Sequence, residues 1–409
     1  MDHKLKIKLI SKFINKLNHD GFSDEYLESK AKNDFIKFIK EEFPEVDIDS
    51  NQNDIKRIFK DITSWGPISK FLNDENVTEI MINGPDIIYV EKAGKLQKTD
   101  AKFLCTETLD FLIERILLPL GKRVNEDVAF ADARLKDGSR VNIIIPPLAV
   151  KGPNVTIRKF SSLPTNEDFF LESKTLSMEA IEFLKICVAQ KQNIVISGGT
   201  GSGKTTLLNF LSSFIPDDDR IVTVEDTAEL KLAQSHVVPL EGRAANPHGK
   251  SEVSIRDLVI NSLRMRPDRI VVGECRGKEA IDMLQAMNTG HDGSLTTIHA
   301  NSIRDTFSRI ETMVLTAGID IPILSIRKQI ASAINVLIQI SRMADGSRRV
   351  TRISEITGME NEVVLTSDIF NLEKDKKGKQ SLISTGLVPV FYDNMRRKGI
   401  DLNLAIFEN

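Results

Sequence analysis

Hydrophobic positions recur with more than one period along the 409 residues, and each period marks a different kind of element. Near the start, Ile10, Phe13, Ile14 and Leu17 fall at helical spacing, the pattern of an amphipathic helix. Lys4, Lys8, Lys12 and Lys16 recur every four residues along one side of that helix. The stripe suits a solvated face of a small helical domain over residues 1–60, and less simply a helix lying on a membrane surface. Residues 61–160 change character. Runs such as Ile80-Met81-Ile82, Ile87-Ile88-Tyr89-Val90 and Val141-Asn142-Ile143-Ile144-Ile145 read as strands separated by glycine-containing turns. A helical stretch over Thr108–Leu118 lies between them, so a small α+β domain is expected. The segment beginning Ser161-Ser162-Leu163-Pro164-Thr165-Asn166 reads as a linker over 161–170. From 171 to about 345 strand and helix patterns alternate, as in a parallel nucleotide-binding sheet. The remainder to 409 is a mixed C-terminal extension.

Composition narrows the function classes. Charged residues make up 28% of the chain and the net charge is −3, so no basic excess points to nucleic acid. No run of about 18 apolar residues predicts a membrane span. The N-terminus lacks the continuous apolar core of a secretory signal. Cys105, Cys187 and Cys275 are far apart and odd in number, which favours reduced thiols in a cytoplasm over a zinc knuckle.

The strongest chemical signal is Gly198-Gly199-Thr200-Gly201-Ser202-Gly203-Lys204-Thr205, preceded by apolar Ile194-Val195-Ile196 and followed by Thr206-Leu207-Leu208. Strand, glycine-rich turn and helix come in the order a phosphate-binding loop requires. The glycines let backbone N–H groups point at phosphates, and the helix N-terminus adds a favourable dipole. Lys204 is placed to reach the β- and γ-phosphates of ATP, and the Thr205 hydroxyl to ligate Mg²⁺.

Binding is not hydrolysis, which also needs a metal and a group acting on water. Two strand patterns end in carboxylates: Ile221–Val224 leads to Glu225-Asp226, with Glu229 beyond, and Ile270–Val272 leads to Gly273-Glu274. The second nucleotide motif usually has Asp where Gly273 stands. Glu274 is therefore the candidate that acts on the attacking water, while Glu225 and Asp226 are candidates to serve the metal and Glu229 to tune either. Ser254 and Asp257 form a capping box for the helix before that strand, and Pro267 marks its end. Arg264, Arg266 and Arg269 cluster next, either steadying phosphates or a neighbouring subunit, or simply solvated. In Gly290-His291-Asp292-Gly293-Ser294-Leu295-Thr296-Thr297-Ile298-His299, His299 ends a strand and His291 sits in a loop. Either suits a γ-phosphate sensor or relay, or a structural histidine. In Ala133–Val141 a hairpin with Gly138 in its three-residue loop pairs Arg134 with Arg140 on one face. Opposed like charges favour an anion between them. Arg158 adds a third guanidinium, the preferred clamp for phosphate charge.

These strings also carry a resemblance. GGTGSGKTT, VTVEDTAEL, LRMRPDRIVVGE and QAMNTGHDGSLTTIHAN together resemble the type II/type IV secretion ATPases. TEIMINGP, DARLKDGSRVNIIIPPL and TIRKF look like the Tad (Flp pilus) branch, the CpaF-type pilus assembly ATPase. The match runs from about Gly66 to Asp368. It implies an α/β fold: a RecA-like ATPase domain behind a smaller α+β, PAS-like domain and a helical N-terminal segment. It also implies a cytoplasmic homohexamer that hydrolyses ATP with Mg²⁺ to polymerise, or also retract, a pilus through an inner-membrane platform protein. By the same resemblance Lys204 and Thr205 belong to Walker A, Glu225 to Glu229 to the acidic box, Glu274 to Walker B, and His291 and His299 to the histidine box. Arg134, Arg140 and Arg158 match arginines that reach the nucleotide. A conjugation-type secretion motor and a nucleotide-gated scaffold without turnover are the alternatives. Two departures stand out. The tetracysteine zinc site of some relatives is absent, and Cys275 follows Glu274 where a small aliphatic residue is usual, which suits either small-side-chain packing or redox sensitivity.

Overall fold

The amphipathic pattern at the start of the chain is satisfied by burial within a helical cluster. In the computed structural model, α1 (His3–Asp20), α2 (Ala31–Glu42) and α3 (Gln52–Thr63) enclose Leu9, Ile10, Phe13, Ile14 and Leu17. The Phe13 ring lies 4.6 Å from that of Phe35 and 5.2 Å from that of Phe38. Lys4, Lys8, Lys12 and Lys16 stay exposed on the other side. Lys12 pairs with Glu42 at 2.9 Å, and the Lys16 ammonium stands 5.6 Å over the Phe38 ring. The apolar face is already covered, so the solvated-face reading holds. The structure describes residues 1–20, 31–92, 94–160, 166–243, 252–374 and 380–408. Among these, no helix is long and apolar enough to cross a membrane.

The chain divides into two units, Met1–Ser162 and Leu163–Asn409. In the first, α4 (Ser69–Leu72), β1 (Val77–Asn83), β2 (Ile88–Lys92), β3 (Lys95–Lys98), α5 (Thr106–Leu117), β4 (Phe130–Arg134), β5 (Arg140–Ile144) and β6 (Asn154–Arg158) follow the helical cluster. The strands form an antiparallel sheet in the order β3-β2-β1-β6-β5-β4. Alternation does what it predicts. Ile80, Ile82, Val141, Ile143, Val155 and Ile157 turn to one face and pack with Leu109, Leu112, Ile113 and Ile116 of α5. The same helix sends Phe111 into the core of α1–α3, where Cys105 joins it. Residues 1–60 therefore share a core element with the sheet.

In the second unit, Asn166 caps α6 (Glu167–Glu172), its side-chain oxygen accepting the Phe169 N–H at 3.1 Å. Residues 166–170 are thus a helix entry and not linker, and Ser161–Thr165 lie outside the described residues. Next come α7 (Met178–Ala189), β7 (Ile194–Gly198), α8 (Lys204–Ser212), β8 (Ile221–Glu225), β9 (Val237–Glu241), α9 (Ile255–Ser262), β10 (Arg269–Cys275), α10 (Glu279–Asn288) and β11 (Leu295–His299). The chain ends with α11 (Ile303–Thr316), α12 (Ile323–Ala333), β12 (Val336–Arg342), β13 (Arg348–Glu360), β14 (Val363–Lys374), β15 (Gln380–Ser384) and α13 (Val390–Arg397). The nine-stranded sheet runs β15-β14-β13-β12-β7-β11-β10-β8-β9. It is parallel from β12 to β9 and antiparallel from β12 to β15. Alternate residues of β7 enter opposite cores: Ile194 and Ile196 join α7 and α8, while Val195 joins α10–α12. The C-terminal extension is this antiparallel wing.

Phe13→Ala should cost about 3–5 kcal/mol, the usual penalty for emptying a buried aromatic site. Urea unfolding of the full chain would show the first unit's transition moving to lower denaturant while the second's stays in place.

Candidate functional site

β7 delivers the glycine-rich loop from the middle of the parallel sheet, between β12 and β11. Gly198 is required sterically: a Cβ there would lie 2.4 Å from the Ile340 carbonyl oxygen and 2.6 Å from Ser202 Oγ. Gly201 and Gly203 adopt φ of +69° and +97°, conformations that glycine takes without penalty. Ser202 Oγ donates to the Gly199 carbonyl at 2.8 Å and tightens the turn. Lys204, the first residue of α8, is only 7% exposed. Its ammonium donates to the Gly199 carbonyl at 3.2 Å and stands 3.2 Å from His299 Nε2. Thr205 and Thr206 follow in the first turn, half-buried.

Parallel pairing sets the opposite wall. His299 pairs in register with Gly198, so the last residue of β11 lies beside the loop. Its Nε2 is also 3.2 Å from Glu274 Oε1, in contact but not aligned as a hydrogen bond. Burial, and then the Lys204 ammonium, lower the His299 pKa, with Glu274 opposing. The imidazole is therefore held neutral at neutral pH, and its Nε2 presents either a lone pair to Lys204 or a proton to Glu274. Glu274, on β10, is tied through Oε2 to Arg276 Nη2 at 2.8 Å, and Arg276 Nη1 reaches Asp226 Oδ2 at 3.3 Å.

The Gly273 departure has a steric cause. Val272 pairs with Val224, so Gly273 lies beside Glu225, and a Cβ on Gly273 would come 2.9 Å from Glu225 Cγ. The neighbouring strand's carboxylate chain fills the space a residue-273 side chain would need. Glu225 Oε1 accepts the backbone N–H groups of Glu229 and Leu230 at 3.0 and 3.2 Å, and Oε2 accepts Leu230 N–H at 3.3 Å. Glu225, expected to serve the metal, thus also anchors the acidic loop. Asp226 faces Arg276, and Glu229 is among the charges that act on Arg276. Among the described residues no group of three or more His, Cys, Asp or Glu is arranged to hold a metal. The donor set still fits Mg²⁺. That ion keeps several waters and takes few protein oxygens beside substrate phosphates, and Thr205 Oγ1 at the start of α8 is such an oxygen.

His291 lies at the other edge of the sheet. It precedes β11, where Ile194 N–H donates to the Ser294 carbonyl at the start of β7. The length of a five-residue strand, about 13 Å, separates that edge from the loop, so the strand keeps His291 away from the loop of its own chain. Its Nδ1 has no hydrogen-bond partner among the described residues. Arg269, at the same edge, is fully buried and paired with Asp219 at 2.7 Å, so it holds the sheet together rather than phosphate. The capping box of α9 forms as expected. Cys275 is buried, 3.3 Å from Thr296 Oγ1, and burial pushes its thiol up to about 12. That matches packing rather than redox sensing.

In the first unit the hairpin forms with Arg134 opposite Arg140 and Gly138 at φ +90°. Arg140 in turn pairs with Arg158, and Arg158 with Glu79. One row therefore crosses four strands on the face opposite the Ile/Val core, with Glu79 Oε1 3.8 Å from Arg158 Nε.

Sequence reasoning missed three residues around the site. Arg276 braces Glu274, Gln339 Oε1 accepts from Ser197 Oγ at 2.5 Å, and Arg348 Nε donates to the Gly201 carbonyl at 3.1 Å. The last two come from the β12–β13 hairpin, whose place beside β7 no local motif announces.

Residues 61–381 match the family described as type II/IV secretion system protein. The chain belongs to that family. Within it, this secretion ATPase is 32% identical over 308 residues to conjugal transfer protein TrbB of Rhizobium radiobacter, a match covering 74% of this chain and 91% of that one. It is 31% identical over 328 residues to type IV secretion system protein VirB11 of Bartonella henselae, covering 71% and 92%. The crystal structure of the pilus retraction motor PilT with bound ADP superposes with a TM-score of 0.50 at 18% identity, over 81% of this chain and 86% of that one. That superposition supports the fold: an α/β, RecA-like ATPase unit with an N-terminal α+β part. The chain is an ATP hydrolase of the secretion-ATPase type.

The His299 proton equilibrium offers a direct check. NMR titration should place its midpoint below the ordinary histidine value, and Lys204→Ala should raise it only part of the way back, because burial, the larger cause, remains.

Proposed function

We propose that the chain is the ATP-driven motor of a Tad (Flp) pilus system. In this reading it works as a homohexamer at the inner face of the cytoplasmic membrane, against an inner-membrane platform protein. The observation that carries the hydrolytic part is the Lys204–His299–Glu274 contact: a phosphate-reaching ammonium, a neutral imidazole and a carboxylate converge at one sheet edge. The pilus assignment rests on the small-domain strings TEIMINGP, DARLKDGSRVNIIIPPL and TIRKF.

In this scheme ATP binds Gly198–Thr206; Thr205 with the phosphates would hold Mg²⁺, which would supply charge neutralisation to the triphosphate. Lys204 then turns to the phosphates, and the His299 Nε2–H donates a hydrogen bond to the Glu274 carboxylate, which stays ionised and orients water at the γ-phosphorus. Asp226 and Glu229 set the charge around Glu274. Arg134, Arg140 and Arg158 supply guanidiniums that compensate transition-state charge. Turnover is about 0.1–10 per second, at or below that of ordinary phosphoryl-transfer enzymes.

A conjugation-type motor is the second reading, favoured by the names of the TrbB and VirB11 relatives. Deleting the gene separates the two. Loss of surface filaments with DNA transfer intact fits the pilus motor, and the reverse outcome rejects it.

Phosphate release by the purified oligomer tests the chemistry. Lys204→Ala should abolish it, and Glu274→Gln should leave ATP bound with turnover reduced about 100-fold or more. Near-normal turnover in Glu274→Gln removes that carboxylate from the water-orienting role. Arg134→Ala should slow hydrolysis far more than it weakens ADP binding, while equal effects on both would make it a plain binding residue.

A further inference from the structure

The geometry points to Arg276 as a positioning residue that aims Glu274 and couples it to the acidic loop. The inference rests on the hydrolytic reading above and extends it to a residue outside the loop, acidic and histidine motifs.

Glu274 has two carboxylate oxygens with different neighbours. Oε2 accepts Arg276 Nη2 at 2.8 Å, the length of a charge-assisted bond. Oε1 is left facing His299 and, beyond it, Lys204 and the phosphate loop. Arg276 thus fixes which oxygen points to the side where water must be oriented. Its other terminal nitrogen donates to Asp226 at 3.3 Å, so one guanidinium fork spans the ends of β10 and β8. The backbone at the root of that side chain is held as well. Buried Glu279, at the start of α10, accepts the Arg276 and Gly277 backbone N–H groups at 2.5 and 2.9 Å.

The charge arrangement gives the same answer. Glu274, Asp226 and Glu229 all act on Arg276 and raise its pKa, so this cation neutralises a set of like charges that would otherwise repel. A motion of the acidic loop draws Asp226, and with it the fork, relative to Glu274. Arg276 is therefore the link by which the loop anchored on Glu225 sets the aim of the hydrolytic carboxylate. Lysine cannot replace it fully, because a point charge cannot bond two carboxylates in one fork.

Steady-state ATP hydrolysis and ADP affinity of the full-length oligomer test this. Arg276→Ala should lower kcat about tenfold or more, with KM and ADP affinity within about threefold. Arg276→Lys should recover part of the loss. The Arg276 side chain is 59% exposed, and surface pairs add little stability, so the melting temperature should hold. Asp226→Asn should lower kcat in the parent and add nothing in the Arg276→Ala background. Parent-like kcat in Arg276→Ala overturns the inference. So does a kcat loss matched by an equal loss of ADP affinity, or full additivity with Asp226→Asn. Absence of any Lys204-dependent hydrolysis in the parent chain would instead overturn the proposed function.

Discussion

A nearly buried ammonium governs this site. Lys204 has given up most of its water, and a charge in that position needs polar partners close by. The described ones are a loop carbonyl and an imidazole nitrogen, both neutral acceptors at 3.2 Å. Neither carries a negative charge, so a phosphate oxygen is a far better partner than either. The parallel register of β11 beside β7 makes this possible, because it brings His299 level with Gly198. A one-residue slip would turn the imidazole to the opposite face of the sheet. The carboxylate of Glu274 then stands one contact further out. It feels Lys204 through His299 and feels the acidic loop through Arg276.

The steric exchange between Gly273 and Glu225 belongs to the same economy of space. Two adjacent parallel strands cannot both project a side chain into one small volume at the carboxyl edge of the sheet. Here β8 supplies the chain and β10 supplies the glycine. The carboxylate so placed bonds the amides of Glu229 and Leu230, which gives the acidic loop its shape. Glu274, one residue beyond the glycine, is left to face the nucleotide loop and Arg276.

What the sequence disclosed, and what it hid, follows from the range of the interactions. The phosphate loop, the capping box at Ser254 and the Arg134–Arg140 hairpin were legible because each is closed by residues a few positions apart. The burial of the first helix was legible too, because its apolar stripe is continuous. Pairing between distant strands was not legible. His291 and His299 share one segment, yet the strand between them carries them to opposite edges of the sheet. Glu225 reads as an available carboxylate until its backbone partners are seen. Arg348 and Gln339 lie more than 130 positions from the loop they touch, and nothing local marks them. The linker pattern over 161–170 hides a helix start because Asn166, a turn former, is also a good helix cap.

The two-sided use of α5 bears on how this chain can be divided. One side of that helix carries the sheet, and the other sends Phe111 among the phenylalanines of the first three helices. Cutting the chain at residue 60 would strip the cover from an aromatic ring and from Cys105, leaving a greasy wound on the shortened product. Such a fragment would be prone to clump, and its inactivity would say nothing about docking. Studies of the leading helices are better served by changing their outward lysines one at a time than by removing them.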